Sequence, residues 1–416
     1  MRIGVLADDL TGAFDTGVQY RNWGLSVEVF IGDVKDTSKL GGVDVVVVDT
    51  ESRGLKKEDA FSRVYRAAER LTKFGAEILY KKVDSTLRGN IGTELDAAME
   101  ASKAKFAFFA PAYPTYGRTT LAGKQLVNNT PLDKTEYVNE LGAKTAEISA
   151  LIGVQSKRKV GLVGFDIVKG GVDLIKTRVE RLKKDGVEVA VFDVLTEKHL
   201  IDIVRAAGDT RMFVGSAGFA SEMPLGLRLR SPKPVLSVCG STRRLSMIQV
   251  RNLQSRLGFK EVNLRILKLT DGEAAAKVEV DRCVSEAVEA LKAGVDVSIT
   301  SSPKESSVKD FVSYALQRGF KDTEAKLFIE EAIGEITSAI IKNVEVLGLI
   351  LTGGATSLIV CQKLGVDSVS IVKEIEPGIP LLTLSNGIPA VTKAGGFGVE
   401  DSLVQVTQKL RRLISS

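Results

Sequence analysis

Histidine, cysteine and long apolar runs are scarce in this chain, and each scarcity removes a class of function. His199 is the one histidine in 416 residues, which argues against a multi-histidine metal centre. Cys239, Cys283 and Cys361 are too few and too scattered for a disulfide framework or a cysteine-rich metal site, so a reducing, cytoplasmic setting is expected. Apolar runs such as Val45–Val48 fall far below the ~20 residues that a membrane span needs. No leader peptide is expected, because Met1 leads directly into a strand and an acidic loop. No long Lys/Arg block interleaved with aromatics occurs, so nucleic acid is not an expected partner. The nearest basic cluster, Arg228, Arg230 and Lys233, reads as a linker. The Walker A pattern is missing from the glycine turns, and the dinucleotide fingerprint G-x-G-x-x-G is missing from the first strand–helix turn.

What remains is an ordinary globular composition, 44% apolar and 26% charged, with a net charge of +5 that mildly favours anionic small molecules. A chain of 416 residues exceeds a comfortable single core, so two domains are expected. Strand-like runs at Val27–Ile31, Val43–Val48, Ile78–Val83, Phe106–Ala110, Val160–Val163, Val187–Phe192 and Met212–Val214 alternate with amphipathic stretches. That alternation falters at Met223–Pro234, where prolines flank basic residues. It resumes with Val235–Val238, Leu264–Leu267, Val295–Ile299, Val346–Leu351 and Val369–Val372. The expected fold is therefore α/β: two domains, residues 1–225 and 226–416, each a layered, mostly parallel sheet with flanking helices.

The organising stretch is Met1–Gly17. Ile3, Val5 and Leu6 form a buried strand that runs into Asp8-Asp9, and open α/β sheets bind ligands at such strand ends. One of the two carboxylates suffices to cap the following helix, which leaves the other to explain. A second constellation is Lys81–Asn90, KKVDSTLRGN, where Lys82 and Asp84 share a face by the period of two and Ser85 and Arg88 follow. Arginine offers a planar fork for a carboxylate or phosphate. The competing account is an ion pair from Lys82 to Asp84 or Asp8. A third is Pro111–Thr120, a rigid loop presenting Arg118, Thr119 and Thr120. Three glycine turns follow in the second half: Gly240-Ser241, with Ser241 as N-cap of a helix from Thr242; Gly353-Gly354-Ala355-Thr356; and Lys393–Gly398, which includes Gly396. Amides at such turns hold phosphate. An anionic, hydroxylated ligand in one domain and a phosphate-bearing one in the other suit phosphoryl transfer in an inter-domain cleft.

These stretches resemble the four-carbon acid sugar kinases, and they occur in that family's order along the whole chain: ADDLTGAFDTG, KKVDSTLRGN and PAYPTYGRTT, then GS with Gln249, TGGATS, EPGIP and TKAGGFG. The resemblance implies an N-terminal domain for the sugar acid and a C-terminal domain for ATP. It also implies magnesium and transfer to the C4 hydroxyl of erythronate, threonate or 3-oxo-tetronate. It places Asp8, Asp9, Lys82, Asp84 and Arg88 in the sugar-acid site, with Asp8, Asp9 and Lys82 taken as catalytic, and Ser85 and Arg118 are added as substrate contacts from their loops. It places Ser241, Gly353, Gly354, Ala355, Thr356 and Gly396 in the nucleotide site. No metal ligand is assigned, and a homodimer is compatible. Two departures stand out: Ala355 replaces the family's usual acidic residue, and Asn139–Ala146 lacks the expected Asp and Pro-Val. Two other classes stay open, a non-catalytic sensor of a sugar acid and a nucleotide, and a nicotinamide-dependent hydroxy-acid dehydrogenase.

Overall fold

The computed structural model describes residues 2–32, 42–139, 145–229, 233–241, 243–301, 313, 316–317 and 322–415. Arg230, Thr242 and most of the Asn139–Ala146 stretch lie outside them. The chain divides into two compact units, Met1–Ser231 with Ser415–Ser416, and Pro232–Ile414.

The first unit is built on an eight-stranded sheet. Its strands are β1 (Ile3–Ala7), β2 (Val27–Ile31), β3 (Val45–Asp49), β4 (Ile78–Lys82), β5 (Ala107–Ala110), β9 (Val160–Val163), β10 (Val189–Phe192) and β11 (Met212–Gly215). They are ordered β2-β3-β1-β4-β11-β5-β10-β9, and every pair is parallel. Helices cover both faces, which is why the central strands read as continuous apolar runs. Alternation sorts their side chains between two cores. Ile3, Val5, Ile78 and Tyr80 pack with Ala13 and Tyr20 of the helix Leu10–Arg21. Leu6 and Leu79 pack with Ile91 and Leu95 of the helix Ile91–Ser102. A separate antiparallel sheet, β6 (Arg118–Leu121), β7 (Lys124–Val127) and β8 (Thr130–Pro131), stands where a rigid loop was expected around Arg118.

The second unit has a seven-stranded sheet in the order β13-β14-β12-β15-β18-β17-β16. Its strands are β12 (Val235–Cys239), β13 (Lys260–Asn263), β14 (Val297–Thr300), β15 (Gly348–Thr352), β16 (Val369–Glu376), β17 (Ile379–Leu384) and β18 (Pro389–Lys393). All neighbours are parallel except the β16–β17 and β17–β18 pairs. Three expectations are corrected here. The strand expected at Leu264–Leu267 is Lys260–Asn263, where backbone pairing to β14 sets the register. β17 and β18 escaped notice because each carries a proline, which weakens a strand signal; Pro380 is accommodated beside an irregularity in β16. Ser241 does not cap the next helix: that helix is Arg244–Asn252, with Arg243 at its N-cap position. Among the described residues, no helix is long and apolar enough to cross a membrane.

Candidate functional site

In the first unit, the period of two decides what the doubled lysine does. Lys81 follows Leu79 onto one face of β4, where it is fully buried and pairs with Glu94 at 2.8 Å. Its ammonium also donates to the Lys82 carbonyl at 2.6 Å. Burial pushes the Glu94 carboxyl up, against the pull of Lys81. Lys82 follows Tyr80 onto the opposite face, against the helix Leu10–Arg21. A Cβ added at Gly12 would lie 3.0 Å from Lys82 Nζ and 2.5 Å from Asp9 Oδ1, so glycine there lets both groups reach the first turn. Lys82 is 5% exposed, and among the described residues its ammonium has no hydrogen-bond or ion-pair partner. The ion pair weighed for it in the sequence is formed by other residues.

Arg53 is the residue that sequence reasoning missed. It leaves the end of β3, the strand beside β1, and grips both aspartates: Nε to Asp8 Oδ2 at 2.7 Å, Nη2 to Asp8 Oδ1 at 3.1 Å, Nη1 to Asp9 Oδ2 at 2.7 Å. Burial alone would raise the Asp8 carboxyl, but Lys81, Lys82 and Arg53 outweigh it and hold it below the usual carboxylate range. Asp9 also caps the helix, its Oδ1 accepting the Gly12 N–H at 2.9 Å. The aspartates therefore differ: Asp8 is 2% exposed and enclosed by cations, while the Asp9 side chain is 26% exposed and reachable. The available signal for Arg53 was its place in a polar run, Asp49–Arg53, directly after a valine strand.

The loop after β4 is braced internally. Asp84 receives Arg88 Nε at 2.7 Å and Nη2 at 3.2 Å, and the Thr86 hydroxyl donates to it as well. Burial would raise the Asp84 carboxyl, but these hydrogen bonds hold it at about 2. Gln125 of β7 donates to the Ser85 carbonyl at 2.7 Å and ties the small sheet to this loop. Arg118 turns elsewhere, donating to the Tyr116 carbonyl at 2.8 Å and the Tyr137 hydroxyl at 3.1 Å, with its guanidinium over the Tyr137 ring. The structure records no contact between Arg118 and Asp8, Asp9, Lys82 or Arg88.

The second unit gathers its three glycine turns at the ends of β12, β15 and β18. Cys239, Thr352 and Lys393 sit side by side in register. Gly353 takes φ +112°, a conformation denied to side chains with a Cβ, and its N–H donates to the Lys393 carbonyl at 2.9 Å. Added Cβ atoms show how tightly the turns meet: one on Gly240 would lie 2.3 Å from Thr356 Oγ1, and one on Gly395 2.3 Å from Ser241 Oγ. Arg243 lies over Gly395 and Gly396. The amides of Gly354, Ala355 and Thr356 at the start of the helix Gly354–Lys363, and those of Gly395, Gly396 and Gly398, have no partner among the described residues. Two sets of unpaired amides and a helix N-terminus suit phosphate. A cavity of about 110 Å³ adjoins Ser241, lined also by Met247, Gln254, Glu261 and Thr300.

Comparison with known proteins decides the family. Residues 3–223 match the family of sugar-binding N-terminal domains, and residues 236–403 match that of nucleotide-binding C-terminal domains. The chain belongs to the four-carbon acid sugar kinase family. It is 33% identical to a D-threonate kinase of Salmonella typhimurium, over 97% of each chain. It is 28% identical to a D-erythronate kinase of Heliobacterium modesticaldum, over 99% of this chain and 98% of that one. A Bordetella bronchiseptica protein described as a domain of unknown function, crystallised with citrate as a domain-swapped dimer, shares the fold with a TM-score of 0.62 and 28% identity, over 99% of both chains.

Proposed function

We propose that this chain is an ATP-dependent kinase that phosphorylates the C4 hydroxyl of a four-carbon sugar acid of the threonate, erythronate or 3-oxo-tetronate type. Sugar-acid binding is assigned to residues 1–225 and nucleotide binding to 226–416. The observation that carries the reading is Lys82, a buried ammonium that makes no direct ion pair among the described residues, near the reachable carboxylate of Asp9. An unpaired buried charge is costly, and an anionic ligand removes that cost. Asp9 accepts the proton of the C4 hydroxyl, and Lys82 stabilises charge that develops on the transferred phosphoryl group. Asp8 does not reach the substrate; it is the fixed anion that orients Arg53 and offsets the charge of the two lysines. Arg88, held in one orientation by Asp84, binds the substrate carboxylate, with Ser85 contributing from the same loop; Arg118, on β6 and turned toward Tyr137, is left out of this contact.

On the nucleotide side, the amides of Gly354, Ala355, Thr356 and Gly396 hold the ATP phosphates, with Gly353 shaping the turn through its N–H bond to the Lys393 carbonyl and the Ser241 hydroxyl beside them. The described residues hold no group of three or more His, Cys, Asp or Glu side chains that could hold a metal. The chain therefore fits magnesium carried on the ATP phosphates with water completing its shell, as is common for this ion. Bound there, magnesium would neutralise phosphate charge. The domain-swapped dimer of the Bordetella relative supports a homodimer here.

The test is ATP consumption against a panel of tetronate stereoisomers, with the mass of each product measured. A phosphorylated acid is the expected result. No phosphorylated product from any member would overturn the reading, and binding of both ligands without turnover would favour the sensor.

A further inference from the structure

We infer that Lys393 positions the nucleotide's phosphates from beneath: its side chain pins the carbonyls of the glycine turn, and its charge awaits the anion held by the turn's amides. The inference rests on the reading of the second unit as the ATP site. Lys393 ends β18 and is 2% exposed. Its ammonium meets no carboxylate among the described residues; it donates to the carbonyls of Ala394 at 3.0 Å and Phe397 at 3.3 Å. Cys239, in the same row, is no counter-charge, because burial pushes its thiol up to about 11. The Thr352 hydroxyl between them is buried without a partner. Burial lowers the Lys393 ammonium, as expected for a cation that lacks an anion.

The turn's other carbonyls are also held. Ser246 Oγ donates to Gly395 O at 2.8 Å, and Gln249 Nε2 donates to Phe397 O at 3.2 Å and Val399 O at 2.7 Å. In a trans peptide the N–H points opposite to the carbonyl. Pinning the carbonyls of 394, 395 and 397 therefore turns away the amides of Gly395, Gly396 and Gly398, the three without a partner in this turn. Two of the three are oriented by Lys393. A serine or glutamine could supply such hydrogen bonds without charge; a buried ammonium at this place adds an attraction that only an anion on the far side of the turn can use.

Lys393→Met tests this by calorimetry with adenosine and with ADP. The expected result is a loss of tenfold or more in ADP affinity, with adenosine affinity and the KM of the sugar acid changed less than twofold. Lys393→Gln keeps an N–H donor for the carbonyls, is therefore expected to fold where the methionine variant does not, and is expected to show the same selective loss. Equal losses for adenosine and ADP would reduce Lys393 to a structural role, and unchanged ADP affinity in either variant would overturn the inference. A wild-type chain that binds neither adenosine nor ADP would instead refute the nucleotide reading beneath it.

Discussion

The two units place their candidate sites at the same end of a parallel sheet but build them from different material. At the ends of β1, β3 and β4 the first unit uses side-chain charge: Asp8, Asp9 and Arg53 in one lattice, Lys81 with Glu94 behind it, and Lys82 unpaired. At the ends of β12, β15 and β18 the second unit uses backbone: three glycine turns, two of them carrying unpaired amides, with Lys393 beneath one of those two. A sugar acid is a small array of hydroxyls and a carboxylate, distinguished by individual charged partners. A polyphosphate is recognised well by convergent N–H groups and a helix dipole. The first site should therefore fail when a side chain changes, and the second when a Cβ is added.

The largest effect is expected at Asp9. Asparagine caps helices as well as aspartate does, so Asp9→Asn keeps the helix start, leaves Arg53 its two bonds to Asp8, and removes the proton acceptor together with one charge facing Arg53. Turnover should fall roughly 10²–10⁴-fold with the KM of ATP unchanged; near-normal turnover would remove Asp9 from the chemistry. Next is Lys82→Met, which should cost about 3 kcal/mol in kcat/KM for the acid, within the range for losing a desolvated charge partner. If adenosine affinity fell in parallel, the division between the units would break.

Gly353→Ala forces a Cβ into φ +112°, at a cost of about 1–3 kcal/mol. The KM of ATP should rise roughly tenfold at the lower half of that cost, while acid binding, measured by calorimetry, stays as it was. A smaller effect sharpens the first unit's electrostatics. The Asp84 carboxyl lies at about 2 against an ordinary 3.8, so its pairing stabilises the folded chain above about pH 4 and is lost as pH falls toward 2. The full contribution is about 2 kcal/mol. Asp84→Asn should flatten this part of the stability–pH curve, and an unaltered curve would contradict the Arg88 pairing. The smallest effect is expected at the exposed Ala355. Ala355→Asp should change Mg–ATP affinity by less than about 1 kcal/mol, because a helix-start amide holds phosphate whatever its side chain. A tenfold gain would mark that position as a metal or ribose contact.

Much of this is legible in the amino-acid sequence. The Asp8-Asp9 turn and the KKVDSTLRGN loop announced themselves because a short apolar strand ending in charge is a local pattern. The glycine turns were equally local. Arg53 was not, because it acts only by virtue of β3 lying beside β1, a pairing between segments 42 residues apart in the register of Ile3 with Val45. The doubled lysine was half legible. The period of two says that Lys81 and Lys82 face opposite ways, but not that Glu94 waits on one side and the partly exposed, Arg53-bound carboxylate of Asp9 lies on the other.

By itself, then, the amino-acid sequence determined the alternation of strands and helices, the mostly parallel character of the sheets and the end of each sheet that carries polar residues, since all follow from local periodicity, while the antiparallel pairs of β17 do not. Only the tertiary structure decided which charges are spent on one another. Arg88 is taken by Asp84, Lys81 by Glu94, and Asp8 by Arg53, while Lys82 and Lys393 are buried without a direct ion-pair partner among the described residues. The physical reason is that a charge's partner is set by distances of about 3 Å across elements far apart in sequence, whereas periodicity reports only which way a side chain leaves its own strand.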